Sequence, residues 1–553
     1  MTEQLACQIL DLLKTIQEAT FKLMICCRNN QKKNFEILSN DILDACQSIL
    51  PEIQANSKTE SLYLACESII DSLERVISLN SIDPMYCERK IEFELLPLIQ
   101  NLYVSVYFFE IVSKNEESLK LYFESERFVL GANKYIDKAE KLGEYKYELS
   151  IVVVGFNKLE YTRLCVESLL KHIPTGLNYE LILVNHGSTD GTKEFFESIR
   201  PHKQIDILRN GGGLRLYSRI LEGEYMLIIS NDVLVTENAI ENMLACIKSD
   251  SAIAYVVPTT PNTSNMQGIP STYSTIEEML EFAKVNNVLN PLRWEQRTRL
   301  CNPICMCSAK HIVSSKGVQS VFYTLTDEDI FIFPDDKLSL LLRRRGLKMM
   351  LAKDAYCYHF GSVTIKDEMS KINEQEAHNQ GRLDFFNAFG VDPWGTGFCY
   401  DINMLVLVIT ELLEIDRVNI LGINSGLGSN PLKIKELYKE EMYNLNATVY
   451  NITDQQNYLE DLRGVSNYVK LVENINNAFT SVDKELPEKF HHIVIDTLVS
   501  PLLDYIKLIK KCVEYLEDNG SLYAVIAEGY ETQLYETFPK ATFSKNWVKI
   551  KRC

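Results

Sequence analysis

The chain reads as an α/β protein in three parts: an N-terminal helical bundle (1–145), a central Rossmann-like domain with a mixed sheet (146–379) and a second Rossmann-like domain (380–553). Three observations predict this. Up to about residue 145 apolar residues recur at three- and four-residue spacing, with no strand-like run between them. From Glu148 to Asp232 continuous Ile/Val/Leu runs alternate with helical patterns, as buried parallel strands and their crossover helices do. From about Gln380 a fresh set of such runs begins. At 553 residues the chain is also too long for a single core.

In the first part, ACQILDLLKTIQEATFKLMI, EILSNDILDACQSILPEI, LYLACESIIDSLERVISL and IEFELLPLIQNLYVSVYFFEIV are the helical stretches. Pro51, Pro84 and the Asn/Asp/Ser clusters punctuate them into a bundle of four or five helices. Nothing there carries chemistry. A scaffold or dimerisation bundle is one reading and a docking module the other.

Composition sets outer bounds. Hydrophobic content of 46% and charged content of 24% describe an ordinary soluble globular protein. A net charge of -18 argues against a nucleic-acid or anionic-membrane binder, while leaving room for local basic sites that hold a phosphorylated ligand. The start, MTEQLACQILDLLK, lacks a basic region followed by an uninterrupted apolar core, and no apolar run is long enough to span a bilayer. A cytoplasmic protein without an integral membrane segment is expected. Its fifteen cysteines form no framework and read as reduced core thiols. Cys301-x3-Cys305-x-Cys307 lacks a second ligand pair at zinc spacing and reads as a strand.

In the central part, ELSIVVVGFNK stops abruptly at Gly155-Phe156-Asn157, and a helical pattern runs from Tyr161 to Lys171. A second apolar run ends in VNHGSTDGT, and a third, YMLIISNDVLV, is interrupted by Asn231-Asp232. In parallel sheets the ligand lies beyond the carboxyl ends of the strands. The polar residues sit there: Asn157, Asn185 to Asp190, and Asp232. This is the profile of a nucleotide-binding half-sheet with a metal-binding acid at its rim.

IVVVGFN, LVNHGSTDGT and IISNDV resemble, in order, the signatures of family 2 glycosyltransferases, inverting enzymes of the GT-A fold. The resemblance runs from about Lys146 to about Lys366. It implies that Gly155 lets the backbone turn close to the donor, that Phe156, in place of the usual Tyr, offers a ring face to a nucleobase, and that Asn157 joins the nucleoside site. Asn185 stands where an Asp is common and offers an amide oxygen to a base ring nitrogen. Asp190 either caps the next helix or serves the ligand. Gly211, within Arg209-Asn210-Gly211-Gly212-Gly213, approaches a diphosphate ahead of a helix. Arg215 and Arg219 are phosphate partners or solvated residues. Ser230-Asn231-Asp232 occupies the D-x-D-like position. Asp232, its one full charge, is the expected ligand of a divalent ion, Mn2+ or Mg2+, and Asn231 contacts ribose or ion-bound water.

RWEQRTRLCNPICMCSAKHI and then FPDDKLSLLLRRRGLKMMLAKDAYCYHFGSVT resemble the acceptor half of the same family. Inverting transfer needs a carboxylate to take the acceptor proton opposite the departing diphosphate. The resemblance assigns this to Asp335, with Asp336 its neighbour and alternate; Pro334 and Lys337 replace acids frequent on either side. The other reading of the two acids is as helix caps. His359 matches a metal- or diphosphate-contacting His at a strand end. Arg343, Arg344 and Arg345 cannot share one helix face, so one or two reach phosphate and the rest are solvated.

RVNILGINSGLG, ATVYNITD, HHIVIDTL and GSLYAVIAE resemble a class I methyltransferase domain. The loop Gly422–Gly428 lacks the leading acid and one glycine of D-x-G-x-G-x-G. Asn451 follows the second strand where an acid normally binds ribose, with Asp454 later. Asp496 follows the fourth strand, and an aromatic catalytic motif is missing. A degenerate domain, structural or acceptor-presenting, is expected.

Together these resemblances imply a metal-dependent inverting glycosyltransferase. Its donor would be a nucleotide-diphosphate sugar, a UDP-sugar such as UDP-GlcNAc. The combination is similar to bacterial enzymes that modify surface structures, including flagellin. It points first to a protein Ser/Thr hydroxyl as acceptor and second to a cell-surface polysaccharide. The helical part would support an oligomer. The competing readings are a non-catalytic scaffold and a bifunctional glycosyl- and methyltransferase.

Overall fold

Long amphipathic helices open the chain: α1 (Glu3–Arg28), α2 (Lys32–Asn56), α3 (Glu60–Asn80) and α4 (Leu96–Glu110). They belong to a computed structural model that describes residues 1–57, 60–80, 87–88, 90–91, 95–114, 145–206, 220–312, 333–361, 374–479 and 484–552. The chain divides into two units. The first comprises Met1–Lys146, Glu180–Gly223 and Ala309–Glu328; the second comprises Tyr147–Tyr179, Glu224–Ser308 and Asp329–Cys553.

In the first unit the three- and four-residue spacing becomes a shared core. Leu13, Ile16 and Leu23 of α1 meet Ile42, Cys46 and Ile49 of α2, Ile69 and Leu73 of α3, and Ile99 and Val106 of α4. Thr2 caps α1 by accepting from the Leu5 N–H. One expectation fails: Pro51 does not punctuate a helix but lies inside α2. Its missing N–H costs one intrahelical bond. The buried stripe Ile42, Cys46, Ile49 and Ile53 runs straight through it and keeps the helix whole. Pro84 lies outside the described residues. The same unit holds the parallel pair β2 (Tyr179–Asn185) and β3 (Lys203–Asp206), with α5 (Thr192–Ile199) between them. Lys203 is buried there and paired with Glu180 at 2.6 Å and Glu222 at 2.9 Å.

The second unit contains two sheets and a short ladder. The central strands are β1 (Tyr147–Gly155), β4 (Gly223–Ser230), β6 (Ile253–Thr259), β7 (Trp294–Arg297), β8 (Ile304–Ser308) and β9 (Lys348–Tyr356). Their order in this unit is β1-β4-β8-β6-β9-β7. β8 runs antiparallel to both β4 and β6, β6 and β9 are parallel, and β7 is antiparallel to β9, which makes the sheet mixed. The helices α6 (Leu159–His172), α7 (Ala239–Lys248) and α8 (Pro334–Arg344) belong to it. Cys305 and Cys307 lie on β8 as the sequence suggested. Among the described residues no group of three or more His, Cys, Asp or Glu could hold a metal ion. No described helix is long and apolar enough to cross a membrane.

The C-terminal sheet joins β11 (Val418–Ile423), β12 (Ala447–Thr453), β13 (Tyr468–Leu471), β14 (Phe490–Ile495), β15 (Leu516–Val525), β16 (Thr542–Ser544) and β17 (Trp547–Lys551). Its order is β13-β12-β11-β14-β15-β17-β16, parallel from β13 to β15 and antiparallel thereafter. The order reverses between β11 and β14, which opens a crevice at their carboxyl ends.

Buried polar bonds fasten this sheet's helices to the central one. Arg343 and Arg344, at the end of α8, both pair with Asp461 of the short helix α10 (Leu459–Arg463). Arg343 Nε lies 2.8 Å from one Asp461 oxygen and Arg344 Nη2 3.0 Å from the other. Lys433, on α9 (Ser429–Met442), reaches Glu295 of β7 at 2.8 Å, and Thr298 Oγ1 bonds Ser429 Oγ. This corrects the reading of the arginine run: Arg343 and Arg344 are neither solvated nor phosphate-facing. The sequence could show that they leave one face of α8, but not that an acid some hundred residues away receives both.

Candidate active site

Within the second unit, the ends of β1 and β4 and the segment around His359 meet where β4 ends. The Asn231 N–H donates to Val154 O at 3.1 Å, hooking the turn onto the end of β1. The Ser230 N–H donates to Pro303 O at 2.9 Å. Beyond the turn, β5 (Val233–Leu234) pairs antiparallel with β10 (Tyr358–His359), His359 opposite Val233. The Phe360 N–H donates to Asp232 O, closing the ladder. That register carries His359 to Asp232, Nε2 to Oδ2 at 3.4 Å, with both residues buried. Two residues 127 positions apart, each at a strand end, thus make one nitrogen–oxygen pair of the kind that binds a divalent ion.

At the end of β1, Asn157 and Lys158 adopt left-handed backbone conformations (φ 51° and 58°), which turns the chain sharply after Gly155 and Phe156. Gly155 is buried and Phe156 half-buried. Asn231 is positioned differently from the expectation. Its Nδ2 donates to Asn157 O at 3.0 Å and Thr162 Oγ1 at 2.9 Å, so that donor braces the β1 turn and does not reach for a ribose.

Asn185, in the first unit, is likewise engaged by its own loop. Its Oδ1 accepts from the Ser188 N–H at 3.0 Å and its Nδ2 donates to Asp206 at 2.9 Å. The oxygen expected to meet a base ring nitrogen therefore already holds the turn. Asp190 accepts from the N–H and the hydroxyl of Thr192, the first residue of α5, while the N-cap of that helix is Gly191, without a side-chain cap bond. Gly211, Arg215 and Arg219 lie outside the described residues.

The acid pair Asp335-Asp336 separates into two functions. Asp336 is buried against Arg299, Nε to Oδ1 at 2.5 Å and Nη2 to Oδ2 at 3.2 Å. Both of its oxygens are thereby engaged, although burial outweighs Arg299 and raises the carboxyl. Asp335 keeps part of its surface open but is packed among protein atoms. That burial, followed by the charge of Asp336, pushes its carboxyl up to about 7. Asn302 adjoins it: in the amide orientation that satisfies both ends, its oxygen accepts from the Tyr255 hydroxyl at 2.7 Å and its nitrogen donates to Asp335. Helix capping does not account for the pair. Phe333 is the N-cap of α8, with φ 61° and no side-chain cap bond. Asn302 also precedes Pro303, whose carbonyl holds Ser230, so one short segment connects the Asp335 carboxyl to the turn of Asp232. Sequence reasoning missed Asn302 and Arg299: both lie in the stretch RWEQRTRLCNPICMCSAKHI, whose local pattern singles out neither.

The C-terminal crevice is built otherwise. Thr396 and Gly397, in the segment before α11 (Ile402–Ile409), lie against the loop Gly422–Gly428. The Leu427 N–H donates to Thr396 O at 2.9 Å and the Ser429 N–H to Gly397 O at 3.2 Å. A Cβ on Gly426 would collide with Thr396 O, and one on Gly397 with Ser425 O. The loop's glycines admit the chain's own backbone. Asn451 lies within β12, not after it, and donates to Ser466 at 2.7 Å. Asp454 follows the strand and accepts from Asn424 and from the Ile475 N–H. Asp496 follows β14 as expected; burial pushes its carboxyl up to about 6, and Asn430 bonds it. The S-adenosylmethionine that the sequence resemblance would imply does not fit a loop whose Leu427 and Ser429 donors already serve Thr396 and Gly397.

Residues 150–302 match the family model of Glycosyl transferase family 2. The glycosyltransferase GlyG of Streptococcus pneumoniae serotype 4 is 32% identical over 111 residues, covering 19% of this chain and 36% of that protein. The chain thus spans about a third of the relative's length. Among solved structures, GalNAc-T7 with UDP, GalNAc and Mn2+ overlaps 38% of this chain and 43% of its own at a TM-score of 0.29 and 14% identity. The mannosyltransferase PcManGT from Pyrobaculum calidifontis with GDP-Man and Mn2+ overlaps 41% and 62% at 0.27 and 14%. The β1 turn, Asn231-Asp232 and Asn302 all fall inside the matched stretch, whereas Asp335, Asp336 and His359 lie beyond it. Over residues 150–302 the chain carries a glycosyltransferase family 2 domain.

Proposed function

We propose that this protein is a metal-dependent inverting glycosyltransferase of the GT-A type, moving a sugar from a nucleotide-diphosphate donor to a hydroxyl acceptor. The observation that carries this is the approach of His359 Nε2 to Asp232 Oδ2, 3.4 Å apart at the end of β4. Asp232 and His359 would hold a divalent ion, Mn2+ or Mg2+, which supplies positive charge to the departing diphosphate. Asp232 and His359 would supply a carboxylate oxygen and an imidazole nitrogen to such an ion.

In this reading Asp335 takes the acceptor proton. A carboxyl at about 7 is half ionised near neutral pH and a stronger base than an ordinary aspartate. Asn302 orients it. Burial raises Asp336 while its bond to Arg299 opposes that rise, and the charge of Asp336 helps hold Asp335 high. Gly155, Phe156 and Asn157 line the nucleoside end, braced by Asn231, and Asn185 shapes its own loop. Gly211 and Arg215 are assigned to the diphosphate. The donor is a UDP-sugar such as UDP-GlcNAc, and the acceptor a hydroxyl of a protein or a glycan, as in enzymes that modify bacterial surface structures such as flagellin. The helical part serves oligomerisation, and the protein works in the cytoplasm. The C-terminal domain is a methyltransferase-like sheet retained as a structural partner; the clasp of Thr396 and Gly397 favours this over methyl transfer.

The test is nucleotide release from a panel of nucleotide-sugars, with manganese or with chelator, for wild type and Asp232→Ala. Turnover of one donor that requires manganese and disappears in Asp232→Ala is the expected result. If thermal shift and calorimetry also detect binding of no donor, a non-catalytic scaffold replaces this reading.

A further inference from the structure

The second unit contains a cleft of about 510 Å³. Trp394, Phe398 and Tyr400 line one part of it, and Ser264, Asn265 and Arg299 another. The aromatic residues come from the segment whose Thr396 and Gly397 clasp the C-terminal glycine loop. That clasp fixes them: Thr298 Oγ1 donates to Phe398 O at 3.2 Å, and Tyr400 lies beneath Arg297 and Lys433, 4.8 and 4.9 Å from its ring centre. Trp394 is braced edge-on by Phe333 at 4.9 Å. The other wall leads to the candidate chemistry, because Arg299 also holds Asp336, the neighbour of Asp335.

We propose that this cleft binds a pyranose ring of a carbohydrate acceptor, an inference that rests on the assignment of Asp335 as base. Sugar rings present apolar C–H faces and equatorial hydroxyls together. They therefore select sites that combine aromatic faces with amide, hydroxyl and guanidinium groups. The cleft sets aromatic rings beside Ser264, Asn265 and Arg299, which are held in place by their own bonds, and its volume is that of a small-ligand site. Its mostly apolar wall, rigidly braced, suits a ring better than an extended polar peptide. Of the two acceptor classes considered, the glycan is the one this cleft fits.

Tryptophan fluorescence tests this on the full-length protein. Of its three tryptophans, Trp294 and Trp547 are buried and Trp394 is half-exposed, so acrylamide quenching reports mainly on Trp394. Chitotriose, maltotriose and a Ser/Thr-rich peptide serve as probes, without donor or metal. The expected result is that at least one oligosaccharide protects Trp394 saturably, that Trp394→Phe abolishes the signal, and that Phe398→Ala weakens calorimetric binding about tenfold. Circular dichroism checks that both variants fold. Protection by the peptide alone, or by no probe, overturns the proposal. Because the assay needs no turnover, it is distinct from the donor test: loss of donor binding with intact sugar protection removes the transferase reading, and the converse removes only this cleft.

Discussion

The carboxyl ends of the two sheets in the second unit occupy equivalent topological positions and are used in opposite ways. At the central sheet, acids and a histidine from distant segments are brought together: Asp232 with His359, and Asp335 beside Asn302. At the C-terminal sheet, the loop donors of Leu427 and Ser429 go to the chain's own Thr396 and Gly397. A strand-end crevice is therefore only an opportunity. Whether it becomes a site depends on what the chain puts into it, and here one crevice fixes a segment while the other assembles side chains.

The largest expected effect is on the central rim. Asp335→Asn should lower transfer by a factor of about 10²–10⁴, the range for loss of a general base, with donor binding by calorimetry retained. Wild-type kcat/KM should fall about tenfold per pH unit below about 7, as the carboxyl takes up its proton. The stability effect has the opposite sign. A raised carboxyl favours the folded state while neutral, so this contribution is full in acid and is lost as pH rises through about 7. Asp335→Asn should raise Tm more at pH 8 than at pH 5. An acid limb unchanged in Asp335→Asn would assign the base elsewhere.

Next comes the fastening between the sheets. Asp461→Ala leaves Arg343 and Arg344 buried without their counter-ion and should cost about 3–5 kcal/mol in urea denaturation. A loss below about 1 kcal/mol would mean that water reaches these guanidiniums.

The smallest effects are expected at the clasp. Wild type should show no calorimetric signal with S-adenosylmethionine, because the loop is already filled. Gly397→Ala adds a Cβ at φ 73° against Ser425 O and should lower Tm by a few degrees. Binding of the cofactor by wild type would make the two rims alike and restore the bifunctional reading.

Much of this was legible in the chain itself. The four helical stretches, the strand-end positions of Asp232, His359 and Asp496, and the β8 reading of the cysteine run follow from local periodicity. Local patterns choose between helix and strand, and strand ends fall where apolar runs stop. Pro51 was misread because a proline's local cost was outweighed by a buried stripe that only a folded bundle creates. The bonds that Asn185 and Asn231 make within their own turns were not legible, because a motif names residues but not the direction of their amides.

What the sequence by itself determined is the order of elements and the residue types at their ends. What only the tertiary structure decided is partnership. That Asp336 belongs to Arg299, that Asp461 receives both arginines, and that Thr396 and Gly397 fill the glycine loop are pairings between residues 30 or more positions apart. The physical reason is that a buried charge or N–H must find a partner but does not specify which one. Distance along the chain carries no such information; the packing of sheets and helices supplies it.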